Sequence, residues 1–200
     1  MNLSEHKAYW DRQALDRLEP RGSTVHVHGG IDRYTDIVDL LKQYNFKGRS
    51  VLEVGAGCGL VAAKMKHEGL IDNYVNLDLS KEYARFTSSA LFLRSFTGSI
   101  HNMPFGDNQF DAVWLFDVLE HIDPAMRPKA ASELDRVIKD SGGIFINNPI
   151  YKSKGHQELE WLLFDEELIN MFSGWRIDQK ITRVINLAPY EFIVLTKWRN

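Results

Sequence analysis

The chain has a single cysteine in 200 residues, Cys58, so no disulfide forms within it and nothing argues for an oxidising compartment. No run approaches the roughly 18 consecutive apolar residues of a membrane-spanning helix. The polar opening Met1-Asn2-Leu3-Ser4-Glu5-His6 also lacks the apolar stretch of a secretory signal. A cytoplasmic protein with no membrane partner is expected. Excess positive charge is missing too, since 24 Lys and Arg stand against 27 Asp and Glu, a formal net charge of −3. Phosphate contacts call for clustered cations, so the expected partner is a small molecule and not a nucleic acid. No repeat, low-complexity tract or linker interrupts the chain, and its length suits one domain, 1–200.

What is present is most concentrated in Val51-Leu52-Glu53-Val54-Gly55-Ala56-Gly57-Cys58-Gly59. Val51, Leu52 and Val54 suit a buried parallel strand, and glycine at alternate positions lets the backbone turn sharply and approach a ligand. A helix over Leu60 to His67 would then direct its free N–H groups at that ligand. Cys58 reads as a small residue filling the turn.

Upstream, helical spacing covers Ser4 to Leu18, stopped by Glu19-Pro20-Arg21-Gly22, and again Ile31 to Tyr44. Downstream, strands are expected over Ser50–Val54, Tyr74–Leu77, Ser95–Ser99, Ala112–Phe116 and Gly143–Asn147, with helices between most of them. Asp123-Pro124 marks a helix start, Ser141-Gly142-Gly143 its stop near Lys139, and a further helix spans Asp165 to Phe172. Arg176–Ile185 and Glu191–Trp198 are β-rich with no helix between them and should pair antiparallel at a sheet edge. The pattern is that of a mostly parallel α/β sheet.

An acid closing the second strand could accept hydrogen bonds from ribose hydroxyls, and Asp78 stands there. To this point an NAD-dependent oxidoreductase fits equally. The spacing G-x-G-x-G, not G-x-G-x-x-G, begins to separate the two. Three further runs complete the separation: Met103 to Val113, Leu115-Phe116-Asp117-Val118-Leu119-Glu120-His121-Ile122, and Glu133 to Gly143. In this order they resemble class I S-adenosylmethionine-dependent methyltransferases, closely over about Ser50 to Asn148.

The resemblance implies a Rossmann-like fold with a seven-stranded, mostly parallel sheet, an antiparallel C-terminal edge pair and helices on both faces. Residues 1–30 become an N-terminal helix and lid segment, and 31–200 the core. The implied cofactor is S-adenosylmethionine. Glu53, Gly55, Ala56, Gly57 and Gly59 would face its methionine portion, Asp78 its ribose, and Leu79 would pack on the adenine. Asn102 and Met103 would meet the adenine edge, with Phe116 at the mouth of the cleft. Many relatives carry Asp four residues before the position of Met103. Here Ser99 stands in its place as an acceptor, and His101 is a second candidate.

Methyl transfer from a sulfonium is an in-line displacement that depends first on positioning, and phenol, hydroxyl or ammonium acceptors must also lose a proton. His121 and His156 are the candidates to take it, with Asp117 beside them; Tyr9, Trp10 and Trp161 are candidates to line the acceptor pocket. Asp117, Glu120, His121 and His156 also resemble the divalent-metal ligands of small-RNA terminal 2′-O-methyltransferases and ubiquinone-pathway O-methyltransferases. Leu-Glu-His-Ile is common in metal-free relatives, and Asp117 is shorter than the glutamate those enzymes use, so a metal is not the favoured expectation. His26 and His28 in their Gly-containing loop read as solvated. The expected activity is methylation of an oxygen or nitrogen of a biosynthetic intermediate or sugar. The alternatives are a metal-dependent RNA 3′-terminal 2′-O-methyltransferase and an inactive cofactor-binding scaffold.

Overall fold

Apolar runs that bury both faces alternate with one-sided helices along the chain, and this alternation sets the architecture. In a computed structural model, described for residues 3–18, 30–150, 161, 165–185 and 188–197, the strands form one seven-stranded sheet in the order β3-β2-β1-β4-β5-β7-β6. The elements run α1 (Leu3–Leu18), α2 (Gly30–Leu41), β1 (Phe46–Val54), α3 (Leu60–His67), β2 (Ile71–Asp78), α4 (Lys81–Ala90), β3 (Arg94–Thr97) and β4 (Phe110–Phe116). They continue with α5 (Arg127–Val137), β5 (Ile138–Pro149), α6 (Asp165–Met171), β6 (Trp175–Ile185) and β7 (Ala188–Lys197). β1 to β5 pair in parallel, β7 runs antiparallel to β5, and β6 antiparallel to β7. No helix among the described residues is long and apolar enough to cross a membrane.

Period-two alternation divides the core. Leu52, Val54, Leu77, Val113, Leu115, Ile144 and Ile146 pack against α5 and α6. Val51, Tyr74, Ala112, Trp114, Phe116 and Phe145 pack against α2 and α3. On the second face Trp114, Phe46 and Phe145 meet edge to face at 5.1 Å, the arrangement aromatic quadrupoles favour. The strand order reverses between β1 and β4. The loops leaving those two strands therefore diverge and open a crevice at the carboxyl end of the sheet.

Several boundaries differ from the sequence expectation. β1 and β2 begin upstream, at Phe46 and Ile71, and α2 stops at Leu41. Asp123 does cap a turn, its carboxylate accepting from the Ala125 N–H at 2.9 Å, but Pro124–Met126 is a 3-10 turn and α5 starts at Arg127. Ser141-Gly142-Gly143 is not a helix stop. α5 ends at Val137, and both glycines lie inside β5, where Gly142 has no room for a side chain. A Cβ on Gly142 would stand 2.7 Å from the Ile138 side chain and 3.0 Å from the Asp111 carbonyl oxygen.

Candidate functional site

The floor of the crevice is the turn from Gly55 to Gly59. Gly55 and Gly57 take φ of 73° and 54°, a left-handed conformation that L side chains adopt only with strain. A Cβ on Gly55 would also come within 2.8 Å of a Val118 methyl, so the loops after β1 and β4 touch here. Gly57 has no atom within 4 Å of where its Cβ would stand, so the middle of the turn faces open space. Gly59 closes the turn against Thr87, with its N–H donating to the Ala56 carbonyl at 2.8 Å. Cys58 is half-buried, and burial pushes its thiol pKa up, away from the reactive thiolate.

Two buried carboxylates flank the turn. Asp78, at the end of β2, accepts from the Ser80 N–H at 2.8 Å with one oxygen and from the Gly57 N–H at 3.0 Å with the other. Burial pushes its pKa up to about 6 against the opposing effect of these bonds, and Asp11 adds to the rise. Glu53, 3% exposed, accepts from the Tyr74 hydroxyl at 2.6 Å. Its pKa is pushed up to about 7, chiefly by burial, with Asp78 adding to it. Between them Asn76 ties the turn to its surroundings: its amide donates to Ser95 at 2.8 Å and Thr87 at 3.3 Å and accepts from the Ala56 N–H at 3.4 Å. Neither Tyr74 nor Asn76 stood out in the sequence, although a polar residue inside the apolar run of β2 was the available signal.

Leu79, half-buried, follows Asp78 directly. In the loop after β3, the Ser99 hydroxyl accepts from the His101 N–H at 3.2 Å and lies 3.0 Å from its Nδ1, so Ser99 is already engaged within its own turn. Asn102 is exposed. Met103 is buried against the α5 side of the core, its N–H donating to Glu133 at 2.6 Å. Phe116 is buried and stacks on Trp114 with centroids 5.8 Å apart.

The opposite wall follows β4. Asp117 sits at φ 55°, a strained value for a non-glycine residue, with its N–H donating to the Asn147 carbonyl at 2.8 Å. Its carboxylate accepts from the Asn147 amide at 3.3 Å. His121 ends the 3-10 turn Leu119–His121, with its Nε2 3.9 Å from the buried Glu120 carboxylate. Trp10 of α1 packs edge-on to His121 at 4.9 Å, and Tyr9 edge-on to Trp10 at 5.1 Å. Trp161 is half-buried and its backbone is pinned to the same turn: its N–H donates to the Glu120 carbonyl at 2.7 Å, and its carbonyl accepts from the guanidinium of buried Arg127. His156, His26 and His28 lie outside the described residues. Among the described residues no three His, Cys, Asp or Glu side chains come together as metal ligands.

α1 reaches this wall because it is latched to the start of α4. Asp11 accepts from the Ser80 hydroxyl at 2.8 Å and the Lys81 N–H at 2.9 Å, and Arg17 donates to the Tyr83 hydroxyl at 3.2 Å. The latch lies directly behind Asp78. It also brings in His6, one turn before Trp10, which the sequence reading did not single out. Asn147 and Asn148, at the end of β5, were likewise missed: both are buried and each has an Oδ1 without a hydrogen-bond partner among the described residues.

Residues 52–146 match the family model described as a methyltransferase domain. The chain is 29% identical over 168 residues to a mitochondrial ubiquinone biosynthesis O-methyltransferase of Dictyostelium discoideum, covering 70% of this chain and 51% of that one. It is 31% identical over 120 residues to a sarcosine/dimethylglycine N-methyltransferase of Aphanothece halophytica, covering 57% and 42% respectively. The chain thus spans about half the length of the curated relatives it matches. Magnesium protoporphyrin IX methyltransferase from Synechocystis, solved with bound SAH, superposes with a TM-score of 0.70 at 14% identity, covering 98% of this chain and 100% of that one, a likeness of fold. With its methyltransferase-domain match and this sheet order, the chain is similar to the class I S-adenosylmethionine-dependent methyltransferases.

Proposed function

We propose that the chain transfers a methyl group from S-adenosylmethionine to an oxygen or nitrogen atom of a small-molecule acceptor. The observation that carries this reading is the pairing of an open glycine turn with a buried carboxylate. Gly57 faces free space, and Asp78 stands beside it with lone pairs left for hydroxyl donors. These residues fit an adenosyl group with a cationic tail. Gly55, Ala56, Gly57 and Gly59 would lie along the methionine portion, with Glu53 beneath it. Asp78 would accept from the ribose, and Leu79, Ser99, His101, Asn102 and Met103 would border the adenine, with Phe116 closing the end.

The cofactor supplies an electrophilic methyl on a sulfonium, and the chain's own residues bring an acceptor into line with it. Trp10 and His121, in contact on the wall that follows β4, support an acceptor space on that side, with Tyr9 and Trp161 as further walls. His121 is the proton acceptor in this reading, Asp117 orients the loop that carries it, and His156 is the second candidate to take the proton. The named O- and N-methyltransferase relatives support either acceptor atom. The test is incubation of the full chain with methyl-labelled S-adenosylmethionine and panels of hydroxylated and amine-bearing small molecules. Label in a small-molecule product supports the proposal, label at an RNA 3′ end transfers it to the RNA alternative, and cofactor binding without transfer to any acceptor leaves a scaffold.

A further inference from the structure

The acceptor wall holds an imidazole that none of the chemistry above uses. His6 and Trp10 lie on one side of α1, with ring centroids 6.3 Å apart, and Trp10 meets His121 at 4.9 Å, so the Trp10 ring packs near both imidazoles. His6 lies within electrostatic reach of both His121 and His101. Its Nε2 is buried and has no hydrogen-bond partner among the described residues, and the same holds for the Nε2 of His101, whose Nδ1 faces Ser99. A ring nitrogen removed from water without a partner carries an uncompensated desolvation cost, which a ligand donor would relieve.

Resting on the methyltransferase reading, we infer that His6 is an acceptor-binding residue: its Nε2 accepts a hydrogen bond from the O–H or N–H of the acceptor's nucleophilic atom, next to His121. The acceptor class is one that enters with a hydrogen-bond donor on the reacting atom, a hydroxyl or an amine and not a carboxylate. The electrostatics agree. Burial, and then the neighbouring His121 and His101, push the His6 pKa down to about 4, so its ring is neutral near pH 7 and free to accept. A neutral ring also avoids placing a second cation beside a sulfonium.

The inference is tested without knowing the acceptor by comparing two cofactor analogues. S-adenosylhomocysteine ends at the sulfur. Sinefungin carries a primary ammonium on the carbon that replaces the sulfur, and so projects a donor into the acceptor space. Calorimetry on the full chain should find that His6→Ala weakens sinefungin binding by roughly ten-fold, as for a hydrogen bond to a charged group. S-adenosylhomocysteine binding should hold within about two-fold, because its contacts are elsewhere. His6→Gln, which keeps an acceptor oxygen near the Nε2 position, should recover much of the sinefungin loss. Equal losses for both analogues would mark His6 as structural and overturn the inference, as would no loss for either. Failure of the folded wild-type chain to bind S-adenosylhomocysteine would overturn the cofactor reading itself and the inference with it.

Discussion

Glu53 ties the fold's energetics to its site, and replacing it by glutamine separates the two. The carboxyl is 3% exposed and titrates at about 7 where an unperturbed glutamate titrates at 4.5. Between those pH values the unfolded chain has released this proton while the folded chain still holds it. Stability from this group is therefore fully present below pH 4.5, falls as pH rises, and is lost above about 7. At about 1.4 kcal/mol per pH unit, the gap corresponds to roughly 3 kcal/mol. Asp78, pushed up to about 6 by the same burial, slopes in the same direction. It does so in both proteins, so the comparison largely cancels it. Glu53→Gln keeps the size and an acceptor oxygen for the Tyr74 hydroxyl and removes the titration. Urea unfolding of both proteins without ligand at pH 5 and pH 8 should show the wild type losing roughly 2.5 kcal/mol more than the variant, which becomes the more stable at pH 8. Parallel pH profiles would refute a protonated, buried Glu53.

Other consequences follow from the turn and from α1. Gly57→Ala meets no neighbour and should cost only the strain of its backbone conformation, roughly 1–2 kcal/mol in urea unfolding, while weakening S-adenosylhomocysteine binding by about ten-fold or more. Gly55→Ala carries the same strain and also displaces Val118, so it should be the more destabilising of the two by roughly 1–3 kcal/mol. Asp11→Ala removes the acceptor for Ser80 and Lys81. Hydrogen exchange should then speed up along α1, while the α5 and β4 amides keep the protection of global unfolding. Equal loosening of α1 and the core would show that Asp11 supports the whole fold and not the latch.

The turn and Asp78 were legible in the sequence because their constraints are local: an apolar strand, glycines at alternate positions, and an acid at the next strand's end. The seven-stranded sheet and its reversed C-terminal pair were legible for a similar reason, since two β-rich runs with no helix between them can close a sheet only antiparallel. Ser141-Gly142-Gly143 was misread because glycine that stops a helix and glycine that admits a close strand look alike until the neighbour, here Asp111, is known. The roles of Tyr74 and Asn76 were not legible because their partners, Glu53, Thr87 and Ser95, lie on other elements, and a polar residue within β2 was the one local signal. His6 and Asp11 belong to the same group, since only the docking of α1 on α4 gives them a place beside the crevice.

The central claim is that the glycine turn and Asp78 together hold S-adenosylmethionine, and calorimetric titration of the cofactor into the full chain tests it most directly. Wild-type protein should bind one equivalent, and Asp78→Ala should weaken binding by roughly ten-fold or more through loss of charge-assisted hydrogen bonds. No binding heat from folded wild-type protein at several temperatures, or unchanged affinity in a folded Asp78→Ala variant, would contradict it.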